Sequence, residues 1–239
     1  MADPLVSPAR PATPVLANLT PLEQLRAGRM PRRLVQLLVG LWLYGASMAM
    51  VIRGSLGLDP WDVFHAGVMT HVGLSFGTVV ILVGVLVLLL WIPLRQVPGL
   101  GTVANVILIG VATDATLALL GTPDGLVARG AFMLGGIVVN GLAGALYIGA
   151  QLGPGPRDGL MTGLARRTGL SIRLVRTSLE VTVLATGFLL GGQVGLGTLI
   201  YAVSIGPLVQ FFLPFTVVAL GDGQQAQSSR RSEAQRVSS

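Results

Sequence analysis

The second half of the chain repeats the first without an insertion or deletion. Gly99-Leu100-Gly101-Thr102 recurs as Gly195-Leu196-Gly197-Thr198, and Gly57, Pro60 and Asp62 recur as Gly153, Pro156 and Asp158, so the offset is 195 − 99 = 153 − 57 = 96. Laying residues 33–118 on 129–214 leaves roughly 26 of about 86 positions identical. Self-similarity at a fixed offset over this length means one structural plan used twice, so whatever constrains one copy constrains the other.

The plan is a membrane plan. Hydrophobic residues make up 52% of the 239, charged residues only 11%, and the mean hydropathy is +0.75. Uncharged runs such as 76–94 have the length of a bilayer crossing. Six spans are expected, at 34–52, 75–94, 102–120, 130–149, 171–190 and 198–219, each near the roughly 20 residues that cross the hydrocarbon. The fifth carries Arg173, Arg176 and Glu180, and it is read as a crossing because its repeat partner is the very apolar second span. This divides the chain into repeat 1 at 33–120 and repeat 2 at 129–219. Residues 1–30, with five prolines and no apolar core long enough for a signal peptide, are expected to be a disordered cytoplasmic arm, and the Gln-, Ser- and Arg-rich residues 221–239 a disordered cytoplasmic tail.

The arginines set the orientation. There is no lysine, and if the spans alternate, Arg10, Arg26, Arg29, Arg32, Arg33, Arg95, Arg157, Arg166, Arg167, Arg173, Arg176, Arg230, Arg231 and Arg236 share one face, leaving only Arg53 and Arg129 for the other. The positive-inside rule then puts both termini in the cytoplasm. A pI near 11.2 therefore reports topology, and the bilayer rather than nucleic acid is the expected partner. Three spans per copy is an odd number, so the second copy must insert in the opposite sense. The expected fold is all-α and integral to the membrane: six transmembrane helices as two inverted-topology three-helix repeats, each with a short helix after its first span.

Those short helices are the most unusual segments. Gly57-Leu58-Asp59-Pro60-Trp61-Asp62-Val63-Phe64-His65 corresponds to Gly153-Pro154-Gly155-Pro156-Arg157-Asp158-Gly159-Leu160-Met161. Glycine permits the turn, proline suits the first helical position, and Asp62 or Asp158 falls at the third, where a carboxylate can accept an orphan amide. Two readings follow: capped helices lying on the surface, or re-entrant helices that dip from each side and present Asp59, Trp61, Asp62, His65 and Asp158 to a midplane cavity. The Gly-Leu-Gly-Thr turns read as helix starts capped by Thr102 and Thr198. Within the spans, Asp114 aligns with Gln210, Asn105 lies on the same span as Asp114, and Asn140 aligns with Tyr44. A carboxylate at mid-bilayer costs roughly 3 kcal/mol on insertion scales unless neutralised, paired or hydrated, so Asp114 is read either as a proton or cation site facing the bundle or as a protonated or hydrogen-bonded structural aspartate near the outer end of its helix, and it ranks above Glu180. Glu180 has Arg176 four residues away as a partner. The small-residue series Gly136, Asn140, Gly141, Ala145, Gly149 suits close helix packing within the chain, with a homodimer as the alternative.

Gly57-Leu58-Asp59-Pro60-Trp61-Asp62, then Gly73-Leu74-Ser75-Phe76-Gly77, then Pro98-Gly99-Leu100-Gly101-Thr102 with Asn105, Gly110 and Asp114, resembles the YczE/YyaS/YitT family of bacterial multi-pass membrane proteins across about residues 33–215. The resemblance implies the bacterial cytoplasmic membrane and a transport or regulatory role, and carries over no catalytic residues. Copy two departs from the pattern where Gly155 and Arg157 replace Asp59 and Trp61.

The function expected from these features is a secondary transporter or permease for a small solute or ion, with Asp59, Trp61, Asp62, His65, Asn105, Asp114, Asn140, Asp158, Glu180 and Gln210 as candidate binding residues. The alternative is a membrane-embedded regulatory or accessory protein acting through its arginine-bearing tails. An enzyme is not expected: His65 and His71 form no zinc signature, no serine is placed with a histidine base, and with no cysteine there is neither thiolate metal site nor thiol nucleophile. No metal or cofactor is expected.

Overall fold

The computed structural model describes residue 16 and residues 19–220, and among these it is helical with no strand. The helices are α1 (Pro21–Arg26), α2 (Met30–Gly54), α3 (Pro60–Val72), α4 (Phe76–Leu94), α5 (Leu100–Leu119), α6 (Leu126–Gly149), α7 (Pro156–Thr168), α8 (Ile172–Leu189) and α9 (Leu196–Thr216). The repeat reappears as geometry: α3 and α7 coincide at both ends under the offset, 156 − 60 = 168 − 72 = 96. The terminal tail falls outside the described residues, as does most of the expected arm. Within that arm, however, residues 21–26 form α1, with Gln24 and Ala27 buried.

Helix ends follow from local chemistry. Asp59 caps α3 by accepting from the amides of Trp61 (2.8 Å) and Asp62 (2.9 Å), and Pro60 occupies the first turn, where no amide is required. Gly73 (φ 66°) and Gly169 (φ 72°) end α3 and α7 in the left-handed conformation that glycine adopts without strain. The Gly-Leu-Gly-Thr turns work differently from simple threonine caps. Gly99 and Gly195 are the cap residues, and Thr102 and Thr198 reach back from the first turn to accept their amides at 3.1 and 3.2 Å.

Five helices, α2, α4, α5, α6 and α9, are long and apolar enough to cross a membrane. The eighteen-residue α8, with Arg173, Arg176 and Glu180, is not among them. Large exposed side chains are apolar along these helices, among them Leu86, Leu90, Ile92, Leu199 and Phe215, as a lipid-facing surface requires.

The centre is the pair α2 and α6, the first long helix of each copy, packed antiparallel. Arg33 meets Ala150 at one end, Gly40 packs on Leu146 and Tyr147, Ser47 bonds Asn140, and Gly54 abuts Arg129 and Met133 at the other. Close approach depends on glycine, because a Cβ on Gly40 would lie 2.9 Å from Tyr147 N and one on Gly136 would lie 3.0 Å from Ser47 O. Flanking contacts recur in kind: α5 packs on α2 through Gly45 and Ala112, and α9 on α6 through Gly141 and Leu208. The short helices cross over, α3 onto α8 of the other copy and α7 onto α4. Even main-chain bonds are exchanged, Gly101 N to Leu152 O at 2.7 Å and Gly197 N to Leu56 O at 2.8 Å. At the crossover the sizes trade places: Val63 and Phe64 pack on Gly187, whereas Gly159 yields to Trp91.

One pair breaks the correspondence. In copy one α4 runs tight against α5, since a Cβ on Gly77 would lie 2.0 Å from Gly110 O. In copy two the residue equivalent to Gly77 is Arg173, which cannot enter such a contact, and α8 stands off α9. Gly206, equivalent to Gly110, accordingly has no atom within 4 Å of where a Cβ would sit.

Candidate functional site

The amino-terminal turns of α3 and α7 converge between the copies. Trp61 and Arg157 occupy equivalent positions, and they meet, with the Arg157 guanidinium 4.8 Å from the Trp61 ring centre. Two carboxylates flank that cation, Asp59 Oδ1 and Asp62 Oδ1, each 3.9 Å from a guanidinium nitrogen. Asp62 also pairs with His65 Nδ1 at 3.2 Å. All three partners are buried, at 3% for Asp59, 2% for Asp62 and 2% for His65. Burial of two carboxylates demands a cation, and copy two supplies it at the position where copy one has tryptophan.

Around this centre lies a cavity of about 320 Å³, within the range of small-molecule sites. Its polar and aromatic lining includes Tyr44, Trp61, His65, Asn140, Tyr147, Arg157 and Asp158. Tyr44 and Tyr147 stack edge to face with centres 6.5 Å apart, Tyr147 donates to Asp158 Oδ2 at 2.8 Å, and Tyr201 donates to Asn140, which donates to Ser47. These bonds lock side chains on four helices into one arrangement. The remaining wall is largely aliphatic, from Val80, Val83 and Val87 of α4, Ile109 of α5, and Ile205 and Val209 of α9, with Asn105, Arg176, Gly206 and Gln210 interspersed. A second hollow of about 180 Å³ shares Tyr44, Trp61, Arg157 and Asp158 and adds Asp59, Glu180 and Tyr201.

The expected site residues thus mostly gather here. Trp61, His65, Asn105, Asn140, Asp158 and Gln210 line the larger cavity, Asp59 and Glu180 the smaller, and Asp62 lies against Arg157. Glu180 is paired to Arg176 at 2.9 Å, as its spacing suggested. Asp114, ranked above Glu180 from sequence, lines neither hollow: its carboxylate accepts from the amide of Gly77 at 2.7 Å and from the Ser75 hydroxyl, clasping the start of α4 to α5, as its structural alternative has it. Tyr147, Tyr201, Arg157 and Arg176 were not singled out from sequence. Arg157 had a signal, being where the second copy departs from the pattern of the first; the tyrosines had none. Among the described residues no three His, Cys, Asp or Glu side chains group as metal ligands.

The profile of a family of unknown function, DUF6198, matches residues 31–214, from α2 to near the end of α9. The chain belongs to that family. Relatives of this DUF6198 chain include an uncharacterised protein of Haemophilus influenzae, 44% identical over 177 residues, which are 74% of this chain and 81% of that one. The uncharacterised membrane protein YczE of Bacillus subtilis is 34% identical over 186 residues, covering 76% of this chain and 85% of YczE. YyaS of the same organism is 24% identical over 180 residues, covering 74% and 90%. No solved structure matches the DUF6198 chain. Together with its apolar helices, these relatives make it a membrane protein.

Proposed function

We propose that the protein is a secondary transporter of a small solute, built as six spans in two inverted repeats in the bacterial cytoplasmic membrane, with both termini cytoplasmic. The observation that carries this reading is the cavity's position and its unequal walls. It lies between the copies, where α3 and α7 meet, and of the two equivalent seams that border it α4–α5 is shut while α8–α9 is parted. In inverted-repeat transporters, exchanging the roles of the two repeats moves access from one side of the membrane to the other. The antiparallel α2–α6 pair supports the inverted sense, and α8 becomes a sixth span whose arginines near its first turn reach the interface. The re-entrant reading of α3 and α7 is supported by their crossover onto helices of the opposite copy.

The native chain has no cysteine, so single labels are clean. In sealed vesicles, Val83→Cys on the α4 wall of the cavity is expected to react with an impermeant maleimide added from either side, faster from the cytoplasmic side. Labelling confined to one side under all conditions would show a static cavity and overturn alternating access.

A further inference from the structure

We infer that the solute is a monovalent organic cation, an amine whose charged nitrogen sits at Asp158 and whose apolar body lies along the aliphatic wall of the cavity. This rests on the transporter reading above and names its substrate class.

The two copies set the same carboxylate in unlike company. Asp62 and Asp158 are equivalent, 158 − 62 = 96, and each stands in the first turn of its short helix. Asp62 has His65 at 3.2 Å and, from the other copy, Arg157 at 3.9 Å. For Asp158 both partners are replaced: the equivalent of His65 is Met161, and the equivalent of Arg157 is Trp61, an aromatic ring without charge. Asp158 is exposed, lines both hollows and joins no ion pair among the described residues. Its hydrogen bond from Tyr147 holds Oδ2 and leaves Oδ1 to a solute N–H. Gly155, where copy one has Asp59, makes room for that bond, since a Cβ there would lie 2.9 Å from the Tyr147 hydroxyl and 3.1 Å from Asp158 Oδ2. The cations nearby are already taken. Arg157 lies between Asp59 and Asp62 on the Trp61 ring, and Arg176 is 2.9 Å from Glu180. Asp59, Asp62, Asp158 and Glu180 thus stand against two guanidinium groups, so the excess charge is negative and a bound cation offsets it. The Tyr44, Trp61 and Tyr147 rings around Asp158 attract the same charge through their faces. Val80, Val83, Val87, Ile109 and Val209 add an apolar surface that a bare ion leaves unused and an organic body covers.

With purified protein in nanodiscs near neutral pH and radiolabelled phenethylamine as probe, saturable binding is expected, with at least a tenfold loss of affinity in Asp158→Asn, whose amide oxygen still accepts from Tyr147. Asp124→Asn, an exposed carboxylate between α5 and α6 that lines neither hollow, should bind as wild type. Three competitors separate charge from body in the wild-type protein, so their result stands whether or not a variant folds. Phenylacetate has the ring with the opposite charge, phenethyl alcohol has the ring without charge, and methylammonium has the charge without the ring; each should fail to compete at a hundredfold excess. Competition by phenylacetate or phenethyl alcohol equal to that by unlabelled phenethylamine would overturn the cationic head, and equal competition by methylammonium would overturn the apolar body. Unchanged affinity in Asp158→Asn would overturn the place of the head, and absence of saturable phenethylamine binding would overturn the substrate class. The two readings fail separately: phenethylamine binding with one-sided labelling of Val83→Cys sinks the transporter and keeps the site, and two-sided labelling without phenethylamine binding does the reverse.

Discussion

Replacing Arg33 with methionine is expected to cost about 4.5 kcal/mol of stability, read as a lowered unfolding midpoint in mixed detergent. Arg33 is fully buried near the start of α2, and its guanidinium donates to three main-chain carbonyls: Ala150 at 2.9 Å, Gln24 at 2.5 Å and Gln151 at 2.7 Å. Two of those carbonyls follow the end of α6, where the helix leaves acceptors without amide partners and its dipole favours a cation. Three charge-assisted bonds at about 1.5 kcal/mol apiece give the expected loss. Methionine keeps much of the aliphatic volume, so the loss reports the stranded carbonyls rather than a cavity. Arg26→Ala on α1, with its side chain exposed, should change the midpoint little; an Arg33→Met protein as stable as wild type would remove the clamp from the account.

Gly77→Ala is expected to cost about 3 kcal/mol and to part α4 from α5. The added Cβ would fall 2.0 Å from Gly110 O, a main-chain atom that cannot rotate away, and 2.6 Å from the Asp114 carboxyl carbon. Separating the helices breaks the bonds by which Asp114 holds Gly77 and Ser75. Copy two has Arg173 in place of glycine at the equivalent position, and there α8 stands off α9. Hence the reaction of Val83→Cys with impermeant maleimide from the non-cytoplasmic side should rise at least tenfold in the Gly77→Ala background. A Gly77→Ala protein with unchanged accessibility would show that this seam does not bar the cavity.

The repeat made much of the fold legible in advance, because helices that share an ancestor share their stops: the glycines and prolines that end and start α3 recur in α7 at the same offset. The existence of two short polar helices duplicated between long apolar ones was legible for the same reason, whereas the convergence of their first turns was one of two readings that the repeat left open. What sequence could not supply was which polar residues are consumed by structure. Asp114, an isolated carboxylate in an apolar run, reads equally as an ion site or as a hydrogen-bonded structural group; its partners, the amide of Gly77 and the hydroxyl of Ser75, lie across a loop, where helix register is set by tertiary packing. Tyr147 and Tyr201 were passed over because tyrosine in an apolar helix is ordinary packing until its hydroxyl is seen to bond Asp158 or Asn140. Arg157 was counted as a surface cation by its place in the positive-inside tally, whereas the crossover of α7 carries it against Trp61 and the buried carboxylates. The α1 helix inside the expected arm is likewise a tertiary effect, fixed in part by Arg33 bonding the Gln24 carbonyl.

The central claim is that two like units are inserted in opposite senses around one cavity, and the ends of α3 and α7 test it most directly. Thr70 and Arg166 are equivalent, 166 − 70 = 96, and both are exposed. Thr70→Cys and Arg166→Cys, placed singly and probed with an impermeant maleimide on oriented membranes, are predicted to label from opposite sides, Arg166→Cys from the cytoplasm. Labelling of both from the same side would contradict the inverted arrangement.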